Sequence, residues 1–260
     1  MTDRYRVIAG RLALSTGLPV IRLATLWLLC SSASAQLVIG PTVVEFGAQQ
    51  KVVAVSVTLD DRASAPMRLQ ADVQRWTQNL AGEAITAETS ELLVTPPIAQ
   101  LQPGQKQIFR LALRGQRSAT EELAYRLILE DISDTVASAQ IATNMNVNFR
   151  MRYDLPVMLA PVNAVSNLLQ WKTCAPDALA NRVACFRMLN AGNRRVKVQN
   201  LTIAGDGWQH SVPFKEGINV LSGAEREWHI ALPAGQTGAL RSVQVSTARG
   251  ETIDAQAGGF

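Results

Sequence analysis

Hydrophobic and polar residues alternate with period two through much of this chain. Val53, Val55, Val57 and Leu59 interleave with Ala54, Ser56 and Thr58, and Met67, Leu69, Ala71 and Val73 with Arg68, Gln70 and Asp72. Phe109, Leu111 and Leu113 repeat the pattern against Arg110 and Ala112, as do Tyr125, Leu127 and Leu129 against Arg126 and Glu130. Successive side chains of a strand point to opposite faces, so each run predicts a strand with one dry face and one wet face. Asp60-Asp61, Pro96-Pro97, Pro103-Gly104 and Asn190-Ala191-Gly192-Asn193 supply the chain reversals. A second set of runs lies around Leu169-Gln170-Trp171, 183–189, 196–203, 228–232 and 243–245. No long stretch carries a 3.6-residue period; a short helical turn is expected only within 84–94. Short alternating strands separated by turns predict an all-β fold built of sandwiches.

Length divides that prediction in two. One such sandwich takes roughly 100 residues, and residues 36–260 hold enough chain for a tandem pair. Strand signals run to about Tyr153. The stretch Leu155-Pro156-Val157-Met158-Leu159-Ala160-Pro161 then reads as a stiff, extended connection, because proline fixes φ and restricts its predecessor. The boundary is therefore expected near 154–162, with a first domain over 36–154 and a second over 155–260. An apolar content of 47% excludes a disordered chain. After residue 30 no apolar run approaches the roughly 20 residues that span a bilayer.

The first 35 residues read differently. Arg4, Arg6, Arg11 and Arg22 precede the apolar stretch 23–30, and Ser31-Ser32-Ala33-Ser34-Ala35-Gln36 follows it. A basic region, a short apolar core and a small-x-small site ending at Ala35 form a cleavable secretory signal. Bulky Leu29 before Cys30 disfavours a lipid-anchor reading. This segment holds four arginines and one aspartate, a net of +3, so of the formal +4 only +1 remains beyond it. That leaves no basic groove for nucleic acid. The cysteines beyond the signal are Cys174 and Cys185, and an even count in an exported chain favours a disulfide over two buried thiols.

Little in the sequence suggests catalysis. A hydrolase needs an activated nucleophile and a base. The two histidines are His210 and His229, and the latter reads as the solvent-facing member of a strand with Trp228, Ile230 and Leu232 behind it. There is no Gly-x-Ser-x-Gly elbow, no phosphate loop and no zinc spacing. Glu121-Glu122 and Asp60-Asp61 are sequence neighbours that point to opposite faces of a strand, and they read as solvated charges. No enzyme activity, cofactor, metal or small-molecule substrate is expected.

Residues 141–153 carry the longest clean alternation. Ile141, Thr143, Met145, Val147, Phe149, Met151 and Tyr153 share one face; Ala142, Asn144, Asn146, Asn148, Arg150 and Arg152 share the other. As one strand it would run about 40 Å, beyond the usual length. It is either a core strand of the first sandwich or a strand that offers its apolar face to a partner's sheet edge. Arg150 and Arg152 are either solvated charges or, near the domain junction, a two-pronged donor for a carboxylate in the cleft.

Several pieces, in order, carry a resemblance. They are Gly40-Pro41-Thr42, Gln74-Arg75-Trp76, Val94-Thr95-Pro96-Pro97-Ile98, Leu101-Gln102-Pro103-Gly104-Gln105 and Phe109-Arg110-Leu111. Glu121-Glu122-Leu123-Ala124-Tyr125-Arg126-Leu127, Glu130-Asp131-Ile132 and Arg152-Tyr153-Asp154-Leu155-Pro156-Val157 complete the set. Together they resemble the periplasmic pilus-assembly chaperones of the chaperone–usher kind, most of all the archaic-type branch. The resemblance covers most of 37–160 and is weaker beyond.

It implies two immunoglobulin-like sandwiches in an L with a cleft between them, in the periplasm. The partners it implies are pilus subunits, whose immunoglobulin-like fold lacks its last strand, and an outer-membrane usher; the free chaperone could cap itself by dimerising. The donor strand would be 141–151, using Ile141, Thr143, Met145, Val147, Phe149 and Met151, with adaptable methionines suited to reversible binding. Arg150 or Arg152 would hold the subunit's C-terminal carboxylate, and no nucleotide is needed. The chain departs from the family at Val43, where many relatives carry a second basic residue; Arg150 and Arg152 then share the anchoring, or another residue substitutes. Ser133 stands where a proline is common, and 133–140 is short for the long-loop variety. One alternative reading is an exported structural or adhesive fibre subunit or another exported β-sandwich binding module, against which stand the two domains and a stretch, 36–40, too short for a donor extension; the other is an exported enzyme, for which the sequence supplies no convergent polar pocket.

Overall fold

The computed structural model describes residues 37–115, 119–133, 138–141, 145–148, 150–174, 182–236 and 238–260, with backbone alone for 138–141 and 145–148. Every regular element among them is a strand. The expected signal over residues 1–35 lies outside the described residues.

The first sandwich opposes two sheets. One has the order β1 (Leu37–Gly40), β3 (Val52–Leu59), β8 (Lys106–Leu113), β6 (Leu92–Thr95). The other runs β2 (Val44–Phe46), β12 (Arg152–Leu159), β9 (Leu123–Asp131), β4 (Met67–Gln78), β5 (Ala84–Glu88), with β7 (Ile98–Leu101) also on β4. The alternating runs fill the space between them. Val55, Val57, Leu69, Phe109, Leu111, Leu127 and Leu129 are all buried in one core. At about 1.5–3 kcal/mol for each buried side chain of this kind, this shared face holds the sheets together. Tyr125 is buried within the core and donates its hydroxyl to Glu91, 2.5 Å away. Burial, and then that carboxylate, push the hydroxyl up to about 12.

Two expectations are corrected here. Residues 84–94 form no helical turn; they hold β5 and the start of β6. The expected connection 155–161 is strand as far as Leu159: β12 runs through it, antiparallel to β9 and parallel to β2. Pro156 is tolerated in it with Leu155 and Val157 buried on either side. The first sandwich thus extends past Asp154 to Leu159.

The second sandwich is one continuous strand path: β16 (Trp208–Val220), β15 (Val196–Gly205), β18 (Leu240–Thr247), β19 (Thr252–Ala257), β13 (Leu169–Thr173), β14 (Val183–Asn190), β17 (Glu225–Ala231). β19 and β13 meet in parallel at Gln170–Gln256 and Trp171–Ala257. On either side of that seam the halves fold onto a common core that includes Leu169, Phe186, Met188, Leu201, Trp228 and Val245. β16 carries Pro213 and Gly217, which broke its sequence signal; as an edge strand it accommodates both. Cys174 and Cys185 are bridged, their Cα atoms 5.4 Å apart. Closing a loop of this length stabilises the fold by about 3 kcal/mol in the chain-entropy model.

Candidate functional site

The long alternating segment is not one strand. β10 (Ser138–Ile141) and β11 (Met145–Asn148) pair antiparallel, Ile141 opposite Met145 and Ser138 opposite Asn148. Among the described residues this two-stranded ladder joins neither sandwich. The last bond tying the approaching chain to β9 runs from the Asp131 N–H to the Met151 carbonyl, 2.9 Å. Among the described residues, β11 therefore has one paired edge and one edge that meets no strand. Thr143 and Phe149 lie outside the described residues, and only the backbone of Ile141, Met145 and Val147 is described. Met151 is 45% exposed.

Arg150 and Arg152 are exposed, and among the described residues neither is in an ion pair. They do not stand at the domain junction as expected. β12 runs from Arg152, opposite Glu130, to Leu159, opposite Leu123. The junction lies at the Leu159 end, about 23 Å further along at strand spacing. Val44 pairs with Val157, so Val43 is level with Pro156 rather than with either arginine.

What the junction holds instead is a charge clasp. Glu122 is not a solvated charge: its side chain is 3% exposed. Its carboxylate accepts from the Arg195 guanidinium at 2.5 Å and from the Arg195 N–H at 3.1 Å, with Arg194 at 3.8 Å. Arg195 also bonds Glu45 on β2. Burial acts to raise the Glu45 carboxyl, but the hydrogen bond and charge of Arg195, with Arg194 and Arg249 beyond, hold it below the usual carboxylate range. Burial, and then Arg249 nearby, lower Arg194.

The turn Asn190–Asn193 is the hub of the joint. Asn193 accepts the Glu122 N–H at its carbonyl and donates its amide to Ala164 at 2.9 Å and Thr120 at 3.4 Å. A Cβ on Gly192 would lie 2.4 Å from the Ser166 carbonyl, so only glycine fits. On the other flank the Gln78 amide clasps both Asn219 O and Leu221 N–H, at 3.0 and 2.9 Å. Trp76, Ala124, Met158 and Leu221 close a small apolar seal between the sandwiches.

Beside the clasp lies a cavity of about 360 Å³, lined on one side by Val43 and Glu45 and on the other by Arg195, Lys197, Thr247, Arg249 and Glu251. Arg195 is committed to the clasp. Lys197 and Arg249 are exposed, and among the described residues neither is in an ion pair. No pattern in the sequence singled out Lys197 or Arg249, which are brought to Val43 only by the packing of the two sandwiches.

Residues 36–164 match the family model of the pili and flagellar-assembly chaperones, for the domain called PapD N-terminal. Through its first sandwich the chain belongs to the pilus-assembly chaperone family. Solved structures agree in fold across both sandwiches. A chain of the CsuC–CsuE chaperone–tip subunit pre-assembly complex, from the archaic Csu pili of Acinetobacter baumannii, aligns with TM-score 0.61 at 20% identity, over 86% of this chain and all of that one. The class 5 fimbriae chaperone CfaA aligns at 0.57 and 12% identity, over 86% of this chain and all of that one. A chain of the Salmonella enterica complex of SafA pilin with the SafB chaperone aligns at 0.52 and 15% identity, over 86% of this chain and 95% of that one. No curated protein matches the chain. Family and fold are those of pilus chaperones.

Proposed function

We propose that this protein is a periplasmic chaperone that binds the subunits of a surface fibre, completes their fold with a strand of its own, and delivers them to an outer-membrane usher. The observation that carries the reading is the β10–β11 ladder, which stands apart from both sandwiches and leaves β11 with an edge that no described strand fills. An unfilled edge binds another chain through main-chain hydrogen bonds, and its alternate side chains select pockets. The family membership supports it, as do solved relatives captured with a tip adhesin subunit or a pilin. In this reading the donor segment is 141–151. A second copy pairing along the same edge would cap the free protein.

The subunit's C-terminal carboxylate has two candidate holders. Arg150 and Arg152 stand at the C-terminal end of the donor segment, while Lys197 and Arg249 face Val43 across the junction cavity and supply the charge that Val43 lacks. Co-expression with a fibre subunit, followed by co-purification, tests both. Arg150→Glu with Arg152→Glu abolishes capture if the first pair is the anchor, and Lys197→Glu with Arg249→Glu does so if the second is. Capture unchanged in both double variants removes the anchoring role. Capture unchanged when Met145 and Val147 both become Asp removes strand donation itself.

A further inference from the structure

Three adjacent strands of the second sandwich place sulfur and imidazole in one row. Cys174 follows β13, and its N–H donates to the Cys185 carbonyl on β14 at 3.2 Å. Cys185 is in turn directly opposite His229 on β17. The His229 Nε2 lies 3.9 Å from the Cys185 sulfur and 2.9 Å from a carboxylate oxygen of Glu227, two residues away on the same face. The ligand atoms of Cys174, Cys185 and Glu227 all lie within 4.8 Å of one another. The Arg187 Nε donates to the other Glu227 oxygen at 2.9 Å and fixes the carboxylate.

The 3.9 Å between His229 and Cys185 is near the spacing of a known coordination shell, and the two bonded sulfurs can take up that spacing only once the bridge opens. Metal–sulfur bonds of about 2.3 Å and metal–nitrogen or metal–oxygen bonds of about 2.0 Å in a tetrahedron separate the ligand atoms by about 3.3–3.8 Å. Two thiolates, one imidazole and one carboxylate form a donor set for zinc or a similar thiophilic divalent cation. Arg187 would act as an outer partner that orients a ligand. His229 is the most exposed of the group, its side chain 61% accessible, so an ion can enter from solvent. In the bridged form both sulfurs are spent on each other, and among the described residues there is no such set of four free donors.

We propose that in its dithiol form the protein binds one thiophilic divalent cation through Cys174, Cys185, His229 and Glu227, and that forming the disulfide abolishes the site. Binding converts two thiols and a metal ion into a bis-thiolate complex and two protons. A thiol oxidant that takes up the two electrons converts the thiolates to the disulfide and frees the metal. The chain therefore has two exclusive staples at one point of the fold, one for each redox state. This inference is independent of the role proposed for β11.

The test uses the chain reduced with a phosphine, which opens the bridge as water supplies the phosphine-oxide oxygen and the thiol protons. Cobalt(II) is titrated in without oxygen, and the absorption is read. The expected result is one ion per chain, a thiolate-to-cobalt charge-transfer band and tetrahedral ligand-field bands, with no such bands from the bridged protein. His229→Ala should weaken binding at least tenfold and alter the ligand-field bands, and Cys185→Ser, which leaves Cys174 as the one thiolate, should weaken binding and cut the charge transfer per bound ion to about half. The absence of charge transfer in the reduced wild type overturns the proposal. So does a His229→Ala protein with unchanged affinity and spectrum, since the two sulfurs alone would then be responsible. Circular dichroism follows the fold, and a reduced chain that unfolds and is not restored by the metal also overturns it.

Discussion

Replacing Glu122 by Gln tests the joint between the sandwiches most directly. The substitution keeps the shape and removes one charge from a side chain 3% exposed, facing an Arg195 side chain 12% exposed. Arg194 stands 3.8 Å away, and its own charge is already disfavoured by burial and by Arg249. Glu122→Gln therefore leaves two partly buried guanidinium groups beside each other with a neutral acceptor. Removing one partner of a buried pair costs about 3–5 kcal/mol, because the survivor stays desolvated and uncompensated. The retained amide oxygen, and Glu45, which still pairs with Arg195, argue for the low end, about 3 kcal/mol.

A unit of this size loses about 2–4 °C per kcal/mol, so the melting temperature should fall by about 6–12 °C. Urea denaturation and thermal circular dichroism of Glu122→Gln, Arg195→Gln and the double variant complete the cycle. The cycle should return a coupling of about 2 kcal/mol, the double variant being less unstable than the sum of the singles. A Glu122→Gln protein within about 0.5 kcal/mol of wild type, or strictly additive singles, would refute the claim that this pair fastens the joint.

Glu45 lies on the half-exposed side of the same clasp and should matter less. Its carboxyl is held below its ordinary value of 4.5, so the folded state favours the charged form and gains stability above that value. The stability difference between wild type and Glu45→Gln should be present at pH 7 and vanish as pH falls below 4.5 through the lowered value; a difference that persisted in acid would contradict the assignment. By contrast Arg241 and Asp206 form a two-bond ion pair, at 3.0 Å for each bond, that is fully exposed. Solvent and salt screen it, and Asp206→Asn should leave the denaturation midpoint unchanged within measurement.

Much of the fold was legible because strand burial is a local, period-two property. Val55, Val57, Leu69 and Leu127 could be assigned to a dry face without knowing which sheet that face belonged to. His229 was correctly placed on a wet face with Trp228 and Ile230 behind it. Where the local signal was mixed, the reading failed. Pro156 looked like a linker residue, but β12 accommodates it between β2 and β9. The run 141–153 alternates cleanly, yet it divides among the end of β10, β11 and the start of β12. Alternation says which side chains share a face, not how far one ladder continues.

The sequence by itself determined the class of the fold, the family and the strand faces, and it favoured the pairing of Cys174 with Cys185 that the structure shows. All of these depend on residues near one another along the chain or on an ordered set of short motifs. Only the tertiary structure decided the joint. Glu45, Glu122 and Arg195 are separated by long stretches of chain and carry no shared pattern, and the Asn190–Asn193 turn reads as an ordinary reversal until Glu122 and the connecting segment are seen bonded to it. Charge pairing depends on distance in space, and two sandwiches built from local alternation can bring remote charges together in ways that alternation does not encode.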